Sequence, residues 1–237
     1  MDEVLGLHHL RTTYAKENLA RVSSLIGEPY LDKALGYMDE VVEMRKTRQG
    51  KEAPWTLMGM ASKAVVLCAL GRTQDAERIM LEILPIAERN FGNDHVGMLF
   101  GRQVLATIFI QQGRYAEAEK VLLEVADSQK RMSSRRGDYH PDRIATLIEL
   151  ARCYQLQGRL DESIVICDDT IQGLESISVV RQPFTETMVA ARAKVVELKE
   201  VRGADGAESS GTAGADIKFP EHLFRAPRTA VRDTSSE

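Results

Sequence analysis

Apolar residues return at spacings of three and four along most of the chain. Between Asp142 and Gln157, residues Ile144, Leu147, Ile148, Leu150, Ala151 and Tyr154 fall on one broad face. Between Tyr115 and Met132, Ala118, Leu122, Val125 and Ala126 do the same. That period predicts amphipathic helices rather than strands. The breaks between helical stretches are glycines. A glycine just past a helix end takes the left-handed conformation that closes it, so each break reads as a tight turn between antiparallel helices.

The breaks repeat. Gly71-Arg72, Gly113-Arg114 and Gly158-Arg159 place their glycines 42 and 45 residues apart. A second set, Gly50, Gly92 and Gly137, keeps the same two intervals. Two markers moving together define a repeat of helix–turn–helix units, each of which must stack on its neighbours to bury its apolar face. Small residues stand seven before the turn glycine (Ala64, Ala106, Ala151) and five after it (Ala76, Ala118, Ser163). Only small side chains let two helix axes cross closely, at about 8–10 Å. A bulky slot, Leu67, Phe109 and Tyr154, lies four before the glycine. Pro54 and Pro141 suit the first turns of helices.

The pattern extends both ways. Ala34, Met38, Val41 and Val42 line up with Ala76, Met80, Ile83 and Leu84, so Leu31 to Gly50 reads as a second helix. Its first helix would lie in Thr12 to Gly27, and Phe184 to Val201 would be one further, capping helix. The expectation is an all-α fold of about four hairpins plus a capping helix over residues 1–202. Residues 203–237 change composition: Gly, Ala, Ser, Asp and Thr dominate to Asp216, which reads as a disordered tail. A short apolar motif follows at 217–225, carrying Phe219, Leu223 and Phe224.

Composition narrows the function classes. Aromatics are 5% of 237 residues, low for a β-sandwich or barrel. The net charge of −4 gives no electrostatic reason to expect nucleic acid or an anionic membrane as partner. No stretch approaches the ~20 apolar residues of a membrane span, and no basic-then-apolar leader follows Met1-Asp2-Glu3. The three cysteines, Cys68, Cys153 and Cys167, fit reduced thiols, with Cys153 and Cys167 at helix-core spacings. A cytoplasmic or nuclear protein is expected.

The run Gln112-Gly113-Arg114-Tyr115 with Glu117-Ala118-Glu119, and the run Leu150 to Gly158, resemble tetratricopeptide repeats. The 42-residue period and the lead-in from Gly137 to Asp142 resemble the long variant found in kinesin light chains. The resemblance implies a right-handed superhelical solenoid whose first helices line a concave groove that binds peptides or partner domains. Carried over unit by unit, it points to Met58, Ala61, Val65, Phe100, Gln103, Thr107, Ile148, Arg152 and Gln155 as groove-facing. The chain departs from the pattern at Lys63 and Arg102, where the family usually has apolar residues, and at Pro85, which is expected to interrupt its helix.

Catalytic chemistry is not expected. His8-His9 has no zinc spacing around it, and adjacent histidines point to different helix faces. His95 and His140 sit at equivalent repeat positions, which structure explains. Asp161-Glu162 and Asp168-Asp169 read as charged outer-face residues, Arg136-Gly137-Asp138 as coincidence, and the basic stretch Lys130 to Arg136 as a solvated loop. No phosphate loop, nucleophile elbow or dinucleotide fingerprint is present. The reading is a non-catalytic adaptor that binds a protein or peptide, with no cofactor and no metal. The alternative is a regulatory or accessory protein of a pathway, for example a fungal-type biosynthetic one, acting through the same array.

Overall fold

The computed structural model of the protein describes residues 16–20, 30–133, 140–176 and 182–204. The chain falls into two compact units, Met1–Met132 and Ser133–Glu237. The first holds a helical stretch at 16–20 and then α1 (Leu31–Gln49), α2 (Pro54–Ala69), α3 (Thr73–Phe91), α4 (Val96–Gln111) and α5 (Tyr115–Ser133), which ends at its border. The second holds α6 (Pro141–Leu156), α7 (Leu160–Ser176) and α8 (Gln182–Ala204). The described residues outside turns are all helical. The predicted capping helix is α8, two residues longer at its start than the sequence suggests. Of the first predicted helix only 16–20 is described, and the whole of 205–237 lies outside the described residues, as do His8, His9 and Arg136 to Asp138.

Each turn glycine does what its position requires. Gly71, Gly113 and Gly158 have φ of +72°, +76° and +79°. Around each, the N–H of the following arginine bonds back to the carbonyl five residues earlier: Arg72 to Leu67 at 2.8 Å, Arg114 to Phe109 at 2.8 Å, Arg159 to Tyr154 at 2.9 Å. The glycine N–H bonds to the carbonyl three residues earlier, of Cys68, Ile110 and Gln155. This is the double-bonded helix stop known as the Schellman motif, and it satisfies carbonyls that would otherwise be orphaned.

The arginine in each turn has a use that the helical pattern does not reveal. Its guanidinium pairs with the acid three residues on: Arg72 with Asp75, Arg114 with Glu117 and Arg159 with Glu162. Two of them also stack on the bulky slot, Arg114 over Phe109 at 4.1 Å and Arg159 over Tyr154 at 4.2 Å. Arg114 reaches further, to Glu77 of α3 at 2.6 Å. These hydrogen bonds hold the carboxyls of Asp75, Glu77, Glu117 and Glu162 below the usual range.

The small positions are sealed. Ala64, Ala76, Ala106, Ala118 and Ser163 have no exposed surface, and Ala151 has 2%. Where serine replaces alanine, its hydroxyl donates to the Ala151 carbonyl across the hairpin at 2.8 Å, so the polar group is buried with a partner. Gly101 marks another close approach: a Cβ there would lie 2.9 Å from Leu84 of α3. In the second unit, Ile144, Ile148, Ala151, Cys167, Leu174, Met188 and Ala191 form one core, so α8 closes the apolar faces of α6 and α7. First helices begin on extended residues, Ala53, His95 and His140. The Nδ1 of His95 accepts the N–H of Gly97, and that of His140 the N–H of Asp142. Both histidines are therefore helix caps.

One expectation from residue type changes, and one charge is buried that the helical pattern does not mark. Pro85 does not interrupt its helix: α3 runs unbroken through it. Pro85 and Leu81, whose carbonyl it leaves without the usual N–H, are both exposed, so water can take the vacant place. Arg45, a charged residue near the end of α1, is 4% exposed. Its guanidinium donates to Glu17 at 2.7 Å and to the Trp55 carbonyl at 2.9 Å, while Ser62 donates to the other Glu17 oxygen at 3.2 Å. Gly59 makes the room, since a Cβ there would stand 3.0 Å from the Arg45 Nη1.

Removing one member of a buried pair strands the other charge, at a cost of about 3–5 kcal/mol. Arg45→Leu should therefore lower the unfolding free energy of the first unit by about that much in urea titrations. The double variant Glu17→Leu/Arg45→Leu should regain most of the loss. Equal losses in the single and double variants would mean that the pair acts by packing alone.

Candidate interaction surface on the first helices

The first helix of each hairpin carries two kinds of position. One locks the hairpin, as above. The other stands at intervals of three and four on a different face. In repeat register, Met58 of α2 corresponds to Phe100 of α4; Ala61 corresponds to Gln103 and then to Ile148 of α6; Val65 corresponds to Thr107 and Arg152. In the first unit α2 and α4 pack against each other. There Met58, Val65, Phe100, Gln103 and Thr107 are all half-buried, while Ala61 is buried at 4% exposure. The Thr107 hydroxyl is spent on its own helix, donating to the Gln103 carbonyl at 3.1 Å. This unit thus sets the apolar side chains of Met58 and Val65 and the ring of Phe100 beside the polar residues Gln103 and Thr107. Large half-buried apolar groups among polar ones are the usual make-up of a recognition surface.

In the second unit the candidates divide. Ile148 and Gln155 are buried, and Ile148 belongs to the core with Met188 and Ala191. Gln155 does not share a repeat register with the other candidates: it matches Ile110 and Cys68, both buried. Arg152 remains half-exposed. Its guanidinium lies 3.6 Å from Glu149, too far for a hydrogen bond, so the two interact through charge alone. Glu149 is 4% exposed and one of its oxygens has no hydrogen-bond partner. Burial pushes its carboxyl above the usual range, and Arg152 offsets part of that. Glu149 is not among the residues singled out from the sequence, and residue type alone does not mark it as buried. A signal did exist: its repeat equivalents are Ser62 and Val104, both buried.

The remaining polar candidates have structural partners. Asp161 pairs with Lys199 and Asp168 with Arg192, fastening α7 to α8. Lys63 pairs with Asp39 of α1 at 2.5 Å. Among the described residues no group of three or more His, Cys, Asp or Glu could hold a metal ion. No described helix is long and apolar enough to cross a membrane. Burial pushes the Cys68 thiol up to about 12 and the Cys167 thiol up to about 11, the latter helped by neighbouring Asp168.

Residues 56–131, spanning α2 to α5, match the tetratricopeptide repeat family. No protein of curated function matches the chain significantly. Among solved structures the chain is similar to a Podosopora anserina kinesin-light-chain-type protein with nearly identical TPR-like repeats. The identity is 21% over 83% of this chain and 90% of that one, with a TM-score of 0.66. A single-residue variant of the same protein gives 21% over 84% and 90%, again at 0.66. BtubC (BKLC) from P. vanneervenii is more distant, at 14% identity, 87% and 96% coverage and a TM-score of 0.51. Residues 56–131 thus carry tetratricopeptide-type repeats, and the chain has the helical-repeat fold seen in the kinesin-light-chain-type structure.

Two measurements check this electrostatic picture. At pH 8 a disulfide reagent should label Cys68 and Cys167 at least about a hundredfold more slowly than free cysteine, and all three cysteines readily in urea. The unfolded chain releases such protons near 9 and the folded one only near 12 or 11. Their contribution to stability is therefore complete below pH 9 and lost above it. For Glu149 the folded carboxyl is also the one raised, so its contribution is complete at acid pH and falls as pH rises. Glu149→Gln should then raise the thermal midpoint at pH 7, and the gain should shrink on acidification to pH 4.5. A lowered midpoint at pH 7 would show the Arg152 attraction to outweigh burial.

Proposed function

We propose that the chain is a non-catalytic interaction module that holds a partner polypeptide against the exposed side chains of its first helices. The observation that carries the proposal is the contrast within the repeats. Positions that lock the hairpin keep one kind of residue, as at Ala64, Ala106 and Ala151. The half-exposed positions of the same helices change from repeat to repeat: Met58 to Phe100, and Val65 to Thr107 to Arg152. A surface whose chemistry varies on a fixed frame suits recognition of an extended partner, each hairpin reading a different part of it. Tetratricopeptide repeats generally bind proteins, and folds of this kind are typically scaffolds rather than catalysts, which supports the same reading. The partner is a protein or peptide, and the place of action is the cytoplasm, with the nucleus as the other compartment such a chain suits.

The test is capture of partners from extracts of the native cell by the tagged full chain. A first variant joins Phe100→Asp with Gln103→Ala, and a second carries Arg152→Glu alone, each checked for helical content by circular dichroism. The first should reduce recovery of a specific partner at least about tenfold, the scale of losing one anchor worth about 1.4 kcal/mol or more. Undiminished recovery by both would move the functional surface elsewhere.

A further inference from the structure

Charge is segregated between the helices of the first unit. The first helices α2 and α4 each carry a single charged residue in sixteen, Lys63 and Arg102. The second helices α3 and α5 carry six and seven in nineteen. Both charges of the first helices meet structural partners, Lys63 at Asp39 of α1 and Arg102 at Asn93. The face that holds Met58, Val65, Phe100 and Thr107 has no charged residue along its whole length. In repeat register it continues to Pro54 and Ala69 on α2 and to Val96 and Gln111 on α4. Pro54, Ala69 and Gln111 are exposed, so burial does not forbid charge there. The repeat does not forbid it either. The corresponding helix of the second unit, α6, has four charged residues in sixteen, and its Arg152 occupies the register of Val65 and Thr107.

We infer that the partner segment held on α2 and α4 is itself uncharged where it touches them, a stretch of polypeptide with apolar, amide or hydroxyl side chains and no Asp, Glu, Lys or Arg. The inference rests on the first-helix surface proposed above and adds the chemical class of what that surface holds. A carboxylate or ammonium laid on this face would lose water and find no countercharge there. An apolar side chain would find Met58, Val65 and the ring of Phe100, and burial against them is favourable. α2 and α4 pack against each other. Two helices with axes about 10 Å apart present a strip about 20 Å wide, which about six extended residues cross. The contact then has no ion pair to steer the encounter or to be screened by salt.

The test is selection of a random peptide library displayed on phage against the immobilised full chain, followed by anisotropy of the enriched peptides. Enriched peptides should share an uncharged stretch of about six residues that includes large apolar side chains. Their affinity should change less than about twofold between about 0.05 and 0.5 M salt, although the screening length falls from about 14 Å to about 4 Å. Phe100→Asp/Gln103→Ala should weaken them at least about tenfold. Two further variants place charge only at exposed positions of the same face, so their folding is not in question: Ala69→Asp/Gln111→Asp and Ala69→Lys/Gln111→Lys. Both should weaken binding, because either sign is unwelcome to an uncharged segment. Peptides with clustered like charges that depend on Phe100 and Gln103 would overturn this inference and leave the first-helix surface standing. Opposite responses to the Asp and Lys variants would do the same. No enrichment, or enrichment that Phe100→Asp/Gln103→Ala leaves undiminished, would overturn both readings.

Discussion

Two helices of sixteen to nineteen residues cannot bury their facing stripes unless their axes come close, and closeness is set by the smallest side chains at the crossing. In this chain the crossing is Ala64 against Ala76, Ala106 against Ala118 and Ala151 against Ser163, none with more than 2% of its surface exposed. Everything else in a hairpin follows from that contact. The bulky slot at Leu67, Phe109 and Tyr154 fills the space beside it. The turn must reverse the chain within three residues to bring the small positions opposite each other, which requires a glycine at positive φ. The arginine after the glycine then covers the exposed edge of the slot with its guanidinium and fixes itself to the next helix through an acid. Such an ion pair is weak in water, but it is joined to two backbone bonds in each turn and, at Arg114 and Arg159, to a stacked ring.

The places where this economy is broken are informative because each is answered locally. Arg45 puts a charge where the next repeat has Ala87, and Glu17, Ser62, the Trp55 carbonyl and the absent Cβ of Gly59 accommodate it. Arg102 puts a charge where its counterparts are Met60 and Leu147, and the answer is partial: the head group is satisfied by Asn93 but the volume is not refilled. Glu149 is the least compensated, with one oxygen lacking a hydrogen bond and the nearest cation beyond bonding distance. A fold that depends on apolar crossings tolerates charge only where the crossing itself is not involved. None of these three sits at a small or bulky slot.

The hairpins were legible because their determinants are local and periodic. Glycine, arginine and alanine at fixed offsets identify turn and crossing without knowledge of distant residues, and the small and bulky slots are buried where the spacing put them. Three kinds of feature were not legible. Pro85 was read from its own residue type, but whether a proline breaks a helix depends on whether the orphaned carbonyl faces water. The burial of Arg45 and Glu149 is not marked by their residue types, whereas alignment with Ala87 and with Ser62 and Val104 places them in buried registers. Among the expected groove residues, Ala61, Ile148 and Gln155 are buried, the last two for different reasons. Ile148 keeps its register but faces the core closed by α8, and Gln155 belongs to a buried register altogether.

Internal comparison also separates positions that packing fixes from positions that it leaves free. The similar solved structures share about a fifth of their residues with this chain, 21%, and at that identity only the fold is shared. A site must therefore be argued from the chain itself. Repeats make this possible, because the same physical slot is filled three times in one sequence. A slot filled alike each time is under a packing constraint. A slot that is never fully exposed, never fully buried and differently filled each time is under no such constraint and can be spent on recognition. By that criterion Val65, Thr107 and Arg152 form the most informative register: an aliphatic, a hydroxyl and a cation at one position of three successive hairpins. Position thus fixes how far each of these side chains is buried, while its chemistry changes from hairpin to hairpin without disturbing the crossing.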